Sequence, residues 1–200
     1  MFRRRSRTFF KGSEVFLRTD VRFLFAERVC SSVMKINELL LPHYDEEVKN
    51  TRRILAVVPE DKFGWKPHEK SMTLGRLASH VGDLPMFLTT IIQTDNMELA
   101  AGTHQPFAPT TRTELLAGFE KRAAEAREVI AGASDDHLGK RWALTFNGQE
   151  VFAGVRRQLL QTTICHQVHH RAQLTVYLRL NDVVFPGVYG PSADEMAAFK

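Results

Sequence analysis

The feature that most restricts how this chain folds is the stretch from Arg157 to Asp182, RQLLQTTICHQVHHRAQLTVYLRLND. Leu159, Thr163, His166, His170, Gln173, Tyr177 and Leu180 follow one another in alternating steps of four and three residues, the repeat of a single helical seam. The seam is apolar at its ends and polar in its middle, so it predicts one long helix with its histidines turned inward. His166 and His170 project side by side one turn apart, and neutral imidazole is the commonest side chain for holding a transition metal. Two such ligands make half a site. At least one more has to come from elsewhere in the chain.

Three further helices are predicted upstream. Leu40, Tyr44, Val48, Thr51, Leu55 and Val58 recur at helical spacing, giving a helix over about 36 to 58 that Pro59 closes and that Pro42 either kinks or starts in earnest. His43, beside that proline, reads as a surface or cap-region residue. Residues 59 to 72 form a loop rich in turn residues, with Trp65 as its anchor. Thr73 has the character of an N-cap for a second helix reaching about Asp95, with the seam Leu77, His80, Leu84, Phe87 and Ile91. His80 stands in line with core positions. Taken alone it reads as a hydrogen-bonded core histidine; beside an H-x3-H pair on another helix it is the candidate third ligand. Pro85 bends this helix about one turn beyond it.

Residues 96 to 110 are the longest internal linker and the natural place for a crossover connection along the helices. A third helix follows over Thr111 to about Gly132, with Thr111 and Glu114 at capping-box spacing and its charged run forming a solvated face. Trp142, Leu144, Phe146, Val151 and Phe152 surround the turn dipeptide Asn147-Gly148, which predicts a short hairpin or ordered extended segment. After the last long helix, Ser192 and Glu195 have the spacing of another capping box. The expected fold is therefore all-α: a four-helix bundle with one long crossover and a short extended or hairpin segment before the last long helix. Three imidazoles converging in such a bundle are costly to bury unless something joins them, and a metal ion is the simplest joiner.

Charge narrows the partners. The formal charge of +4 invites a nucleic-acid reading, but residues 1–33 hold eight Lys/Arg against three acids. That leaves 19 bases and 20 acids, of the 27 and 23 in the chain, for residues 34–200. The body is neutral and carries no basic footprint for nucleic acid. Residues 1–33 are expected to be a basic N-terminal extension outside the core fold: a disordered or loosely helical segment, a stretch preceding a true start at Met34, or an arginine-rich organellar presequence; residues 34–200 are expected to form the domain. Cys30 and Cys165 make no disulfide framework, which fits a reduced cytoplasm, and no apolar run is long enough for a membrane span.

Residues 34 to 196 resemble the DinB/YfiT-like family of metal-binding four-helix bundles. The resemblance is carried by MKINELLLPHYDEEV, LGRLASHVGDLP, NGQEVF and above all HQVHHRAQLTVYLRLNDVVFPGVYGPSADE. It implies a divalent transition metal, among nickel, zinc, iron(II) and manganese(II), held by His80, His166 and His170. His169 matches the other histidine of the family's frequent HH pair and is not carried over as a ligand, and Ala172 replaces a common glycine. Gln173 and Tyr177, further along the seam, are candidates to orient a bound water or substrate; Asp83 is a candidate outer partner of a ligand or a simple surface acid. The resemblance also implies a small-molecule substrate and a low-molecular-weight thiol, in a metal-dependent thiol S-transferase or related hydrolase, and a homodimer. The competing reading is a non-catalytic metal-binding stress protein, which a site sealed from solvent would favour. A DNA-associated role rests only on the basic extension and the family's name.

Overall fold

The structure, a computed structural model, describes residues 34–100 and 105–197. The expected extension over residues 1–33, Cys30 within it, and Gly102 of the linker lie outside the described residues. Four long helices dominate: α1 (Ile36–Leu55), α2 (Leu74–Gln93), α3 (Arg112–Gly132) and, after a short α4 (Asp135–Leu138), α5 (Arg156–Leu180), with α6 (Ala193–Ala197) closing the tail. Three strands accompany them, β1 (Asn96–Glu98), β2 (Arg141–Phe146) and β3 (Gln149–Val155). The helices come with the expected hairpin, which a third strand extends: the protein is mostly helical with a small three-stranded sheet. The helix starts follow their predicted caps. Thr73 accepts from Arg76 N at 3.2 Å and Thr111 from Glu114 N at 3.1 Å, while the Glu114 carboxylate turns back to Thr110 N at 2.8 Å. Ser192 and Glu195 close a reciprocal capping box, at 2.8 and 3.2 Å.

Two apolar clusters fix the directions of the helices. One gathers the start of α1 (Leu40, Tyr44), the ends of α2 and α3 (Ile91, Ile130) and the start of α5 (Leu160). The other gathers the opposite ends: Leu55, Leu77, Leu115 and Leu178. Hence α1 and α5 run one way, α2 and α3 the other. Neighbours α2 and α3 are parallel, so the linker between them has to travel the length of the helices, as expected of a crossover. Phe107 marks its route. The ring lies over Gly118 of α3, where any Cβ would collide with it, and 3.4 Å from the Cβ position at Gly82 of α2. Arg122 stacks on the same ring at 4.1 Å and pairs with Asp83 at 2.9 Å.

The hairpin forms as the Asn-Gly dipeptide predicts, with Asn147 at φ 49° and Gly148 at φ 75°, the left-handed pair of a type I′ turn. What periodicity did not predict is β1. It is only three residues long and pairs parallel to β2, Met97 opposite Leu144. Its Glu98 accepts from Asn147 N at 2.8 Å and Gly148 N at 3.1 Å, tying the linker to the turn. Arg156, at the first turn of α5 and 1% exposed, seats the sheet on the helices. Its guanidinium donates to Ile91 O and Thr94 O at the end of α2 and to Arg141 O of β2, at 2.8 to 2.9 Å. The Ile91 and Thr94 carbonyls would otherwise be left over where α2 stops. Among the described residues, no helix is long and apolar enough to cross a membrane.

Candidate metal centre

The site forms where α2 and α5 lie side by side. His80 stands in the middle of α2, and His166 and His170 stand one turn apart on α5. Each offers one ring nitrogen, and these three atoms all lie within 4.8 Å of one another. Ring centroids are separated by 5.3 Å (His80 to His166) and 4.6 Å (His80 to His170, and His166 to His170). The Nε2 atoms of His166 and His170 are 2.8 Å apart. Two nitrogens bound at about 2.0–2.1 Å to one cation stand roughly 3.0–3.4 Å apart, so this pair is at ligand spacing with almost no movement. All three sequence-predicted site histidines are brought together. His43 is not among them; it faces Glu47 at 3.5 Å.

The seam itself is rotated from its predicted place. Leu159 and Thr163 of the predicted seam are buried, but beyond them the buried face of α5 is Ile164, Gln167, Arg171, Leu174 and Leu178, whereas His166 is exposed and Leu180 is 58% exposed. The histidines therefore lie on the rim of the α2/α5 contact and not at its centre, with His166 exposed and His80 and His170 half-buried. The reason is polar. Gln167 donates to Val81 O at 3.2 Å, and Arg171 pairs at 2.7 Å with Glu47 of α1, both side chains being 2–3% exposed. Arg171 also donates to Glu47 O and Thr51 Oγ1, each at 3.1 Å, and Tyr189 of the tail bridges the pair. A buried arginine is invisible to a hydrophobic period, and only its partner on another helix explains it.

Gln173 does not face the convergence point. Its Oε1 accepts from His170 Nδ1 at 2.8 Å and its amide nitrogen donates to His169 Nε2 at 3.0 Å. With a proton on Nδ1, the His170 Nε2 is left as a lone pair directed at the other imidazoles. So Gln173 and His169 act behind a candidate ligand, an arrangement typical of metal-binding histidines. Tyr177 donates to Met72 O at 3.3 Å and meets Trp65 edge to face at 5.7 Å, so it fastens the loop to α5. Asp83 is not a surface acid: it is 6% exposed and paired with Arg122.

The electrostatics favour neutral rings. Burial, then the neighbouring His170 and His166 and the Arg76 guanidinium, push His80 down to about 4. Burial first and adjacent imidazoles next also lower His166; His170 is lowered by burial, against the pull of its Gln173 hydrogen bond. A lowered histidine pKa means that the unfolded chain, titrating near 6.5, takes up protons that the native state refuses. Metal-free protein should therefore hold this contribution above about pH 6.5 and lose stability as the pH falls toward 4. Thermal melts in chelator at pH 7.5 and 5.0 check this, with His80→Ala expected to flatten the difference. Equal pH sensitivity in the two proteins would count against it.

Three neutral nitrogen donors suit a divalent transition metal better than magnesium or calcium, and three protein ligands leave positions for water or substrate. Two cavities reach the triad. One, of about 410 Å³, opens beside His80 and His166 against the sheet; the other, of about 460 Å³, opens beside His170, Gln173 and Lys70.

Comparison with known proteins agrees with the likeness seen in the sequence. The DinB family model matches residues 33–199. The uncharacterized protein YrdA of Bacillus subtilis (strain 168) is 28% identical over 160 residues, 80% of this chain and 91% of YrdA. YjoA of the same organism is 23% identical over 140 residues, 70% of this chain and 87% of YjoA. In structure, the chain is similar to a DinB-like protein from Bacillus cereus ATCC 10987, with a TM-score of 0.56 at 24% identity over 74% of this chain and 95% of the other. The crystal structure of YjoA gives a TM-score of 0.58 at 20% identity, over 75% and 96%. At these identities the structural likeness speaks for the fold alone.

Proposed function

Since the chain belongs to the DinB family, we propose that it is a cytoplasmic metal-dependent thiol S-transferase, or a related detoxifying hydrolase, on a DinB-type four-helix bundle. In this reading His80, His166 and His170 hold one divalent transition metal, among nickel, zinc, iron and manganese. The observation that carries it is the convergence of three imidazole nitrogens within 4.8 Å of one another, with His166 exposed. A cation held there supplies Lewis acidity that lowers the pKa of an arriving thiol or water.

The chain's own residues do the rest. Neutral imidazoles at pH 7 are ready to ligate without first losing protons, and Gln173 holds the ring of His170 in one tautomer. In the transfer the thiol sulfur bonds to an electrophilic carbon. The leaving group departs with the electron pair of its broken bond, and the thiol proton passes to bulk water. The non-catalytic alternative calls for a sealed site, and the exposure of His166 speaks for turnover instead. The resemblance adds a homodimer and a low-molecular-weight thiol partner to the proposal.

The test is a panel of low-molecular-weight thiols with an electrophile, using protein loaded in turn with each of the four metals. The expected result is thiol consumption that stops on chelation and returns with metal. Absence of metal-dependent turnover with every thiol would overturn the catalytic reading.

A further inference from the structure

We propose that the cavity on the His80 and His166 side of the triad binds the apolar body of the acceptor electrophile. Its reactive atom would face the imidazoles, while the thiol arrives from the His170 side. The inference rests on the transferase reading and adds to it the substrate class and the direction of approach.

The cavity wall is Leu84, Phe87 and Ile91 of α2, Trp142 and Leu144 of β2, and Phe152 of β3. The polar groups among its other lining residues are committed elsewhere. Trp142 Nε1 donates to Thr94 Oγ1 at 3.1 Å, and the hydroxyls of Thr162 and Thr163 donate to carbonyls of their own helix at 2.9 and 2.8 Å. The polar end of the cavity is the triad itself, where His80 and His166 lie together. A ligand suited to this space is apolar along its length and reactive at one tip. A cavity of about 150 Å³ takes one benzene ring; the 410 Å³ here has room for two or three rings or a comparable aliphatic body.

The groove on the far side is more mixed. Lys70, Ser71 and Gln173 line it with His170 alongside apolar side chains such as Met72 and Val176, so it offers a hydrophilic thiol the polar partners that the first cavity lacks. The triad divides the two. Apolar and polar reactants would reach the same point from opposite sides without competing for one pocket.

The test uses the full-length, metal-loaded protein and N-phenyl-1-naphthylamine, a neutral fluorophore that brightens in apolar surroundings. Wild-type protein should give saturable emission. Phe152→Asp and Leu144→Arg place a charge in the wall and should weaken the probe at least about tenfold. Val176→Ala, in the opposite groove, should bind it as wild type does. Phe152 is 40% exposed, so Phe152→Asp carries the test even if Leu144→Arg fails to fold. No saturable binding by wild type, unchanged affinity in Phe152→Asp, or an equal loss in Val176→Ala overturns the proposal. Thiol turnover measured alongside separates the two readings. Turnover without probe binding overturns the pocket alone; probe binding at the wall without turnover supports the pocket and overturns the transferase.

Discussion

His166→Ala is expected to purify as folded protein without its divalent metal. The side chain is exposed, so its removal leaves the buried face of α5 intact, but it takes away one of three nitrogens. Losing an outer hydrogen-bond partner of a ligand costs metal affinity ~10–100-fold; losing the ligand itself should cost more than ~100-fold. Gln173→Leu supplies the graded companion. It leaves all three ligands in place but frees His170 to swap tautomers, and should weaken the metal by ~10–100-fold. Metal analysis of the purified proteins, with competition titration against a chromogenic chelator, reads both. Full metal content in His166→Ala would remove the triad from the account, and wild-type affinity in Gln173→Leu would reduce Gln173 to a surface contact.

The second large effect lies away from the site. Arg171→Met should destabilise the protein by ~3–5 kcal/mol, because it leaves the Glu47 carboxylate buried without its counter-charge. The pair is weak evidence of stability as a pair, since desolvation offsets much of its attraction. Replacing both partners, Glu47→Leu with Arg171→Met, should therefore recover most of the loss. Urea unfolding of the wild type, the single variant and the double variant measures the cycle. A single-variant loss below ~1 kcal/mol would show that the carboxylate escapes to water.

These two predictions separate what the sequence disclosed from what it hid. His80, His166 and His170 were legible because helical spacing and imidazole chemistry point the same way. Thr73, Ser192 with Glu195, and Asn147-Gly148 were legible because caps and type I′ turns demand particular residues at particular offsets. The inward face of α5 was not legible. A count of apolar residues favours Tyr177 and Leu180, yet the helix buries Gln167 and Arg171 and leaves Val176 and Leu180 exposed. Glu47, the partner that makes Arg171 tolerable inside, lies on α1, and no local pattern links the two. Strand β1 was missed for a related reason: three residues show no alternation, and Asn96–Glu98 is extended only because β2 stands beside it. Asp83 read as a surface acid or a ligand's outer partner; it is buried against Arg122 of α3, a partner that no spacing along α2 discloses.

The three candidate ligands are shared between two helices far apart in the sequence, with His80 on α2 and the other two on α5. A cation there would work as a rivet across that one seam, while α1 and α3 stay braced by their own apolar contacts. Occupancy would then tighten the protein unevenly, slowing amide exchange along α2 and α5 and raising the melting temperature with metal concentration, by mass action.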